Sequence, residues 1–184
     1  MNKLIFALAV IMLGVYGCAE EKPSDEQKKV TIETILEEYE ECSEHAEDHK
    51  DCKCFTARAI CEYNGITDLK KGGEYVDYHD IHGFLTSDDA WKNLGMATNQ
   101  GALDNAQQMA NDGYPVVAIK TDDQHKFAVL IIQGEQTKSN SWGLMVPNCA
   151  AFFPVSTRGL DSFINKGMNY AWSKPDAVQM WVKK

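Results

Sequence analysis

No apolar run in this 184-residue chain is long enough to cross a bilayer as a helix: the stretch from Leu4 to Val15 falls short of the ~20 residues a span requires. Basic charge is in deficit. Lys and Arg number 18 against 27 Asp and Glu, a formal net charge of −9, which argues against a polyanionic nucleic acid as partner. There is no internal repeat and no low-complexity tract, so a solenoid or a disordered array is excluded. No group of cysteines and histidines has zinc-ligand spacing. His45 and His49 stand one helical turn apart, but with no third ligand at fixed spacing they are expected to be a solvated helix end, with no metal and no cofactor.

What is present begins with an address. Met1-Asn2-Lys3 and the short apolar run form the charged and hydrophobic regions of a secretory signal. Val15-Tyr16-Gly17-Cys18 then resembles a bacterial lipobox, which implies cleavage before Cys18 and acylation of that cysteine. Ala19 resembles the residue found at that place in lipoproteins sorted to the outer membrane, so the expected location is the outer membrane, facing an oxidising periplasm. Residues 18–29 (CAEEKPSDEQKK) are charged and polar, a tether rather than folded structure. Loss of Met1 to Gly17 removes one Lys and takes the net charge from −9 to about −10. Residues 30–184, roughly 155 of them, suffice for one domain with one core.

The apolar positions predict the elements. Ile32, Ile35, Leu36, Tyr39 and Cys42 recur at helical spacing opposite a glutamate-rich face, a helix over 31–48. A second helix is expected to start from Asp51 as N-cap and to end at Asn64-Gly65. Residues 66–84 read as a long loop with one short strand, whose Tyr75, Tyr78, His79 and His82 are candidates to line a pocket. Ser87-Asp88-Asp89 is expected to cap a helix carrying Ala90, Trp91, Leu94 and Met96, followed by another over 101–111. Strands are expected over 114–121, 125–134, 141–147 and 177–182, and a last helix over 158–168. Helices first and an antiparallel meander afterwards is an α+β pattern.

Five cysteines remain in the folded part: Cys42, Cys52, Cys54, Cys61 and Cys149, an odd number. Two disulfides and one free thiol is the simplest outcome. Cys54 and Cys61, about 10.5 Å apart along one helix, cannot bond each other, and if they take Cys42 and Cys149 as partners Cys52 is left free. At the mouth of the second helix, Cys52 meets unpaired backbone N–H groups that favour a thiolate. The bland alternative is that Cys52 is half of a disulfide or a small buried hydrophobe.

A thiolate needs a base, and His125 opens a strand that can hold an imidazole in place. Cys52-Lys53-Cys54-Phe55 resembles the Cys-x-x-Phe opening of NlpC-type cell-wall peptidases, and His125 to Gly134 (HKFAVLIIQG) resembles their histidine strand ending in glycine. The type VI secretion amidase effectors share this arrangement. The resemblance implies a papain-like α+β fold, with N-terminal helices packed on an antiparallel β-sheet, and peptidoglycan as the partner. It also implies that Cys52 is nucleophile, His125 general base and then acid, Asn140 the residue orienting the imidazole, and Trp142-Gly143 a wall of the site. Ser139, Ser141 and Asn148 are alternatives for the third position, and the reverse assignment, with Cys54 attacking, stays open. The activity implied is hydrolysis of an amide bond in peptidoglycan stem peptides through a thioester. The competing expectations are a non-catalytic binding or structural lipoprotein on the same fold and a cysteine acyltransferase. The anchor is the part that sequence alone makes testable: Cys18→Ser is expected to abolish lipid modification and to move the protein from the membrane pellet to the soluble fraction, and continued sedimentation with membranes would show the lipobox to be misread.

Overall fold

A computed structural model describes residues 30–45, 52–122, 126–157 and 160–184, with the side chains of residue 45 and of residues 154–161 left aside. The signal segment, Cys18, the tether, Asp51 and His125 lie outside the described residues. Among the described residues no helix is long and apolar enough to cross a membrane.

The domain is α+β. Helix α1 (Ile32–His45) starts behind Thr31, whose hydroxyl accepts from the Thr34 N–H at 3.3 Å. Its buried stripe of Ile32, Ile35 and Tyr39 faces the core, and the Tyr39 hydroxyl donates to the Phe153 carbonyl. Helix α2 (Phe55–Asn64) buries Phe55, Ala59, Ile60 and Cys61 and stops at Gly65, whose φ of 66° is the left-handed conformation that glycine adopts without strain. A hairpin of β1 (Lys70–Lys71) and β2 (Glu74–Tyr75) and the short α3 (Ile81–Ser87) lead to β3 (Trp91–Met96). Helix α4 (Gln100–Asn111) is capped by the Asn99 side chain, which accepts from the Gly101 N–H at 2.8 Å.

The rest is strand: β4 (Val116–Lys120), β5 (Ala128–Ile131), β6 (Thr137–Lys138), β7 (Met145–Val146), β8 (Asn148–Thr157), β9 (Leu160–Gly167) and β10 (Val178–Lys183). Six of the strands form one antiparallel sheet in the order β3-β10-β4-β5-β8-β9. Every residue from Val116 to Ile119 and from Ala128 to Ile131 is buried, so these central strands are covered on both faces and read as unbroken apolar runs. Helices α1 and α2 pack against the β5-β8-β9 half and α4 against the β3-β10-β4 half.

Three expectations are corrected. The stretch from Trp91 to Met96 is an edge strand, not a helix. Ser87-Asp88 closes α3 rather than opening a new helix, since the Asp88 carboxylate accepts from the Ala90 N–H at 2.9 Å in a turn. Residues 160–167 are also strand. They pair with β8, which lies beyond the expected strands, and Phe163 lies opposite Ala151 with its ring against Phe153. Pairing along that hairpin is irregular between Phe152 and Thr157, where Pro154 has no N–H to give to a ladder. Finally, the expected strand over 141–147 shrinks to Met145–Val146, because Ser139 to Leu144 close a tight turn with hydrogen bonds from the Gly143 N–H to the Ser139 carbonyl and from the Ser139 N–H to the Leu144 carbonyl, each 2.9 Å.

One buried polar side chain ties α4 to the sheet. The Gln107 amide donates to the Ile132 carbonyl at 3.0 Å and accepts from the Asn148 N–H at 2.7 Å, where β5 and β8 diverge. Gln107→Leu leaves both backbone groups without that partner, and at ~1–3 kcal/mol for a buried group left unsatisfied the variant is expected to melt several degrees below wild type in a thermal scan. An unchanged melting temperature would show that water replaces the amide.

Candidate functional site: the foot of helix α2

Cys54 is the residue immediately before α2, and its carbonyl accepts the Arg58 N–H at 2.9 Å. Helix α2 therefore starts three residues later than an Asp51 cap would place it, and Cys52 sits in the helical turn that leads in. Three interactions pin this foot. The Tyr78 N–H donates to the Lys53 carbonyl at 3.1 Å, and the Lys53 ammonium lies 3.9 Å from the Asp77 carboxylate. The Tyr78 ring stacks on Phe127 at 5.2 Å between centroids, and Phe127 meets the Phe153 ring edge-on at 5.4 Å. Phe127 comes two residues after His125 in the chain, so the cysteine segment is held against the start of the strand that the histidine precedes. Between them Lys126 has a φ of 46°, a left-handed backbone that a non-glycine residue adopts only under constraint.

The cysteines depart from expectation. Cys52 is bonded to Cys42, with the two Cα atoms 6.0 Å apart. Cys54, Cys61 and Cys149 are free, so neither the expected two-disulfide pattern nor the expected free Cys52 is found. The reason is local. Cys42 lies in the last turn of α1 and Cys52 just ahead of α2, ten residues on, so the two helices meet at the bond. The short spacing between a helix end and a helix start was the available signal, and counting cysteines by parity passed over it.

The free thiol at the foot is Cys54, half-buried. Burial pushes its pKa above the ordinary value, against the lowering effect of its own backbone N–H and of Arg58. Burial likewise raises Cys61 and Cys149. Among the described residues no group of three metal-ligating side chains is present.

The other candidates are dispersed. Asn140 is exposed, on the turn between β6 and β7. That hairpin is held by Gln100 of α4, which donates to the Met145 carbonyl at 3.0 Å and accepts from the Met145 N–H at 2.9 Å. Trp142 is half-buried and its indole N–H donates to the Trp172 carbonyl at 3.1 Å, while Gly143 is exposed. Ser139 is buried and accepts from the Trp142 N–H; its hydroxyl is 3.2 Å from that of Ser141. Asn148 donates to the Gln133 carbonyl at 3.0 Å.

Among the aromatic and histidine residues of 66–84, Tyr78 is buried at the foot of α2, its ring 3.9 Å from that of His79 between centroids. His82 faces Trp181; burial, then the charge of Lys126, hold its pKa below the ordinary value, while a hydrogen bond with Gln179 works the other way. Tyr75 lies elsewhere. Its hydroxyl donates to Glu62 at 2.9 Å, burial and that bond push its pKa up to about 12, and it lines a cavity of about 530 Å³ with Cys61, Gly65 and Gln133 at the opposite end of α2. Tyr78 is the link between the two short motifs, and no spacing pattern in the sequence marks its stacking on Phe127.

No protein-family model matches the chain, and no curated protein matches it.

The thiols give a direct check. In native, unreduced protein, iodoacetamide is expected to label Cys54, to spare Cys61 and Cys149, and to leave the Cys42 and Cys52 peptides linked. Because the folded state holds the Cys54 proton more tightly than the unfolded chain, labelling should be slow at pH 8 and speed up as pH rises beyond 9.0, the ordinary value. The same sign means that the group's contribution to stability is full below that pH and is lost as pH rises through the folded value. Rapid labelling of Cys52 would contradict the pairing.

Proposed function

We propose that this chain is a papain-like cysteine hydrolase of the cell envelope, which cuts an amide bond in the peptide stems of peptidoglycan while anchored through Cys18 to the outer membrane. The observation that carries the reading is the docking of the cysteine segment at the foot of α2 onto Phe127, beside the strand that His125 precedes. In this reading His125 takes the proton from the Cys52 thiol, and the sulfur attacks the amide carbonyl. The backbone N–H groups at the start of α2 face the developing oxyanion. His125 then returns the proton to the leaving amine, and water hydrolyses the thioester. Cys54, whose burial favours the thiol, is a neighbour of the nucleophile and not its replacement.

A second reading has an observation of its own. The Cys42–Cys52 disulfide occupies the sulfur that the chemistry needs, which favours a binding or structural lipoprotein with a papain-like organisation.

Turnover under mild reduction separates the two. On purified peptidoglycan with a dithiol present, Cys52→Ala and His125→Ala are each expected to remove nearly all muropeptide release, with the double variant little worse, because the pair acts as a unit. Asn140→Ala is expected to lose about 10- to 100-fold if it orients the imidazole. Cys54→Ala should retain activity in its folded fraction, and its complete loss with unchanged melting would move the nucleophile two residues along. A reduced wild type that releases nothing from any envelope substrate would establish the second reading.

A further inference from the structure

The two halves of the disulfide are unequally placed. Cys52 is 1% exposed, within the core beside Phe55, whereas Cys42 is only partly buried at the end of α1. A thiolate arriving from solvent therefore meets Cys42 first, and the sulfur displaced is that of Cys52. Contacts other than the bond also hold α1. The Tyr39 hydroxyl donates to the Phe153 carbonyl, the Tyr39 ring meets Phe55 edge-on at 5.4 Å, Arg58 of α2 is paired with Glu38 of α1, and Ile32 and Ile35 are buried.

We infer that the Cys42–Cys52 disulfide is a directional redox lock, which keeps Cys52 out of reaction until an external dithiol attacks Cys42. The inference rests on the hydrolase reading for its consequence, though not for its chemistry. In the first step the attacking thiolate forms a mixed disulfide with Cys42, the Cys42–Cys52 bond breaks, and Cys52 leaves with the electron pair. In the second the other thiol of the reductant, as thiolate, displaces Cys42 and closes the reductant's own disulfide. Two electrons pass from the dithiol to the cystine, and the two protons it releases are available to the cysteine sulfurs.

The test uses the full chain and two readouts. Mass mapping after a short exposure to glutathione, followed by acid quench and alkylation of the denatured chain, is expected to find the mixed disulfide on Cys42 and a free thiol at Cys52. A mixed disulfide on Cys52, or no exchange in protein that remains folded, overturns the direction of the lock. Muropeptide release is expected to rise roughly 100-fold or more on addition of dithiothreitol, with Cys42→Ala equally active without reductant. Equal turnover with and without reductant overturns the lock and leaves the hydrolase standing. Loss of the melting transition both on reduction and in Cys42→Ala assigns the bond to structure and overturns the lock as well. Exchange at Cys42 that frees Cys52 with no release in either state overturns the hydrolase reading instead, and leaves the chemistry of the exchange in place.

Discussion

The structure depends most on the burial of β4 and β5 on both faces. With every side chain from Val116 to Ile119 and from Ala128 to Ile131 out of solvent, the sheet must be covered twice over, and the helices are placed by that demand. Fully burying one Val, Leu or Ile side chain is worth ~1.5–3 kcal/mol, so these strands outweigh any single polar contact at their ends. The polar contacts set register and position instead. Gln107 fixes α4 where β5 leaves β8, and Thr56 of α2 donates to the Phe152 carbonyl at 2.9 Å on β8. The foot of α2 is thus located by packing that has nothing to do with cysteine chemistry.

Two effects oppose each other at that foot. A helix N-terminus stabilises a negative charge by ~0.3–1 kcal/mol, up to ~2 in a partly buried setting. Desolvation works against the charged form and shifts a fully buried group by as much as ~3–5 pKa units at 1.36 kcal/mol each. For Cys54 burial wins, and its pKa lies above the ordinary value despite the nearby guanidinium of Arg58. A free thiol in this place is therefore not an activated one, and chemistry here calls for a base to take the proton. Position at a helix mouth is the argument for a thiolate at Cys52; at Cys54, two residues on, half-burial, which no spacing reveals, outweighs that position.

What was legible in the sequence follows the strength of its periodic signals. Helix α1 has five apolar positions in register and a glutamate face, and α4 buries Leu103, Ala106 and Ala110 at helical spacing; both lie where expected. The runs that became β4, β5 and β10 are β-branched and bounded by turn residues, and they are strands. Edge and hairpin elements were lost. Trp91 is the only buried residue of β3, so that strand shows no alternation to read, and its pairing with β10 shifts register between Met180 and Trp181. In β8, Ala150 to Phe153 are all buried and Pro154 interrupts the ladder, which hides a strand from any test of period two. Of the site, the two short motifs were visible, but Tyr78 and Phe127 join them only through tertiary packing.

The cysteines show why parity is a poor guide to pairing. An oxidising compartment supplies the means to form disulfides, but each bond needs two Cα atoms within about 7 Å and side chains directed at each other. Cys42 and Cys52 satisfy this because two packed helices end and begin at the same point. Cys61, on the inner face of α2, and Cys149, on β8, are each fully buried and remain thiols, behaving as small apolar residues whose burial raises their pKa. An odd number of cysteines therefore did not single out one reactive residue. It divided into a bonded pair at a helix junction, two thiols that serve the core, and Cys54, which is placed at the foot of α2 and held in its neutral form by the same packing that put it there.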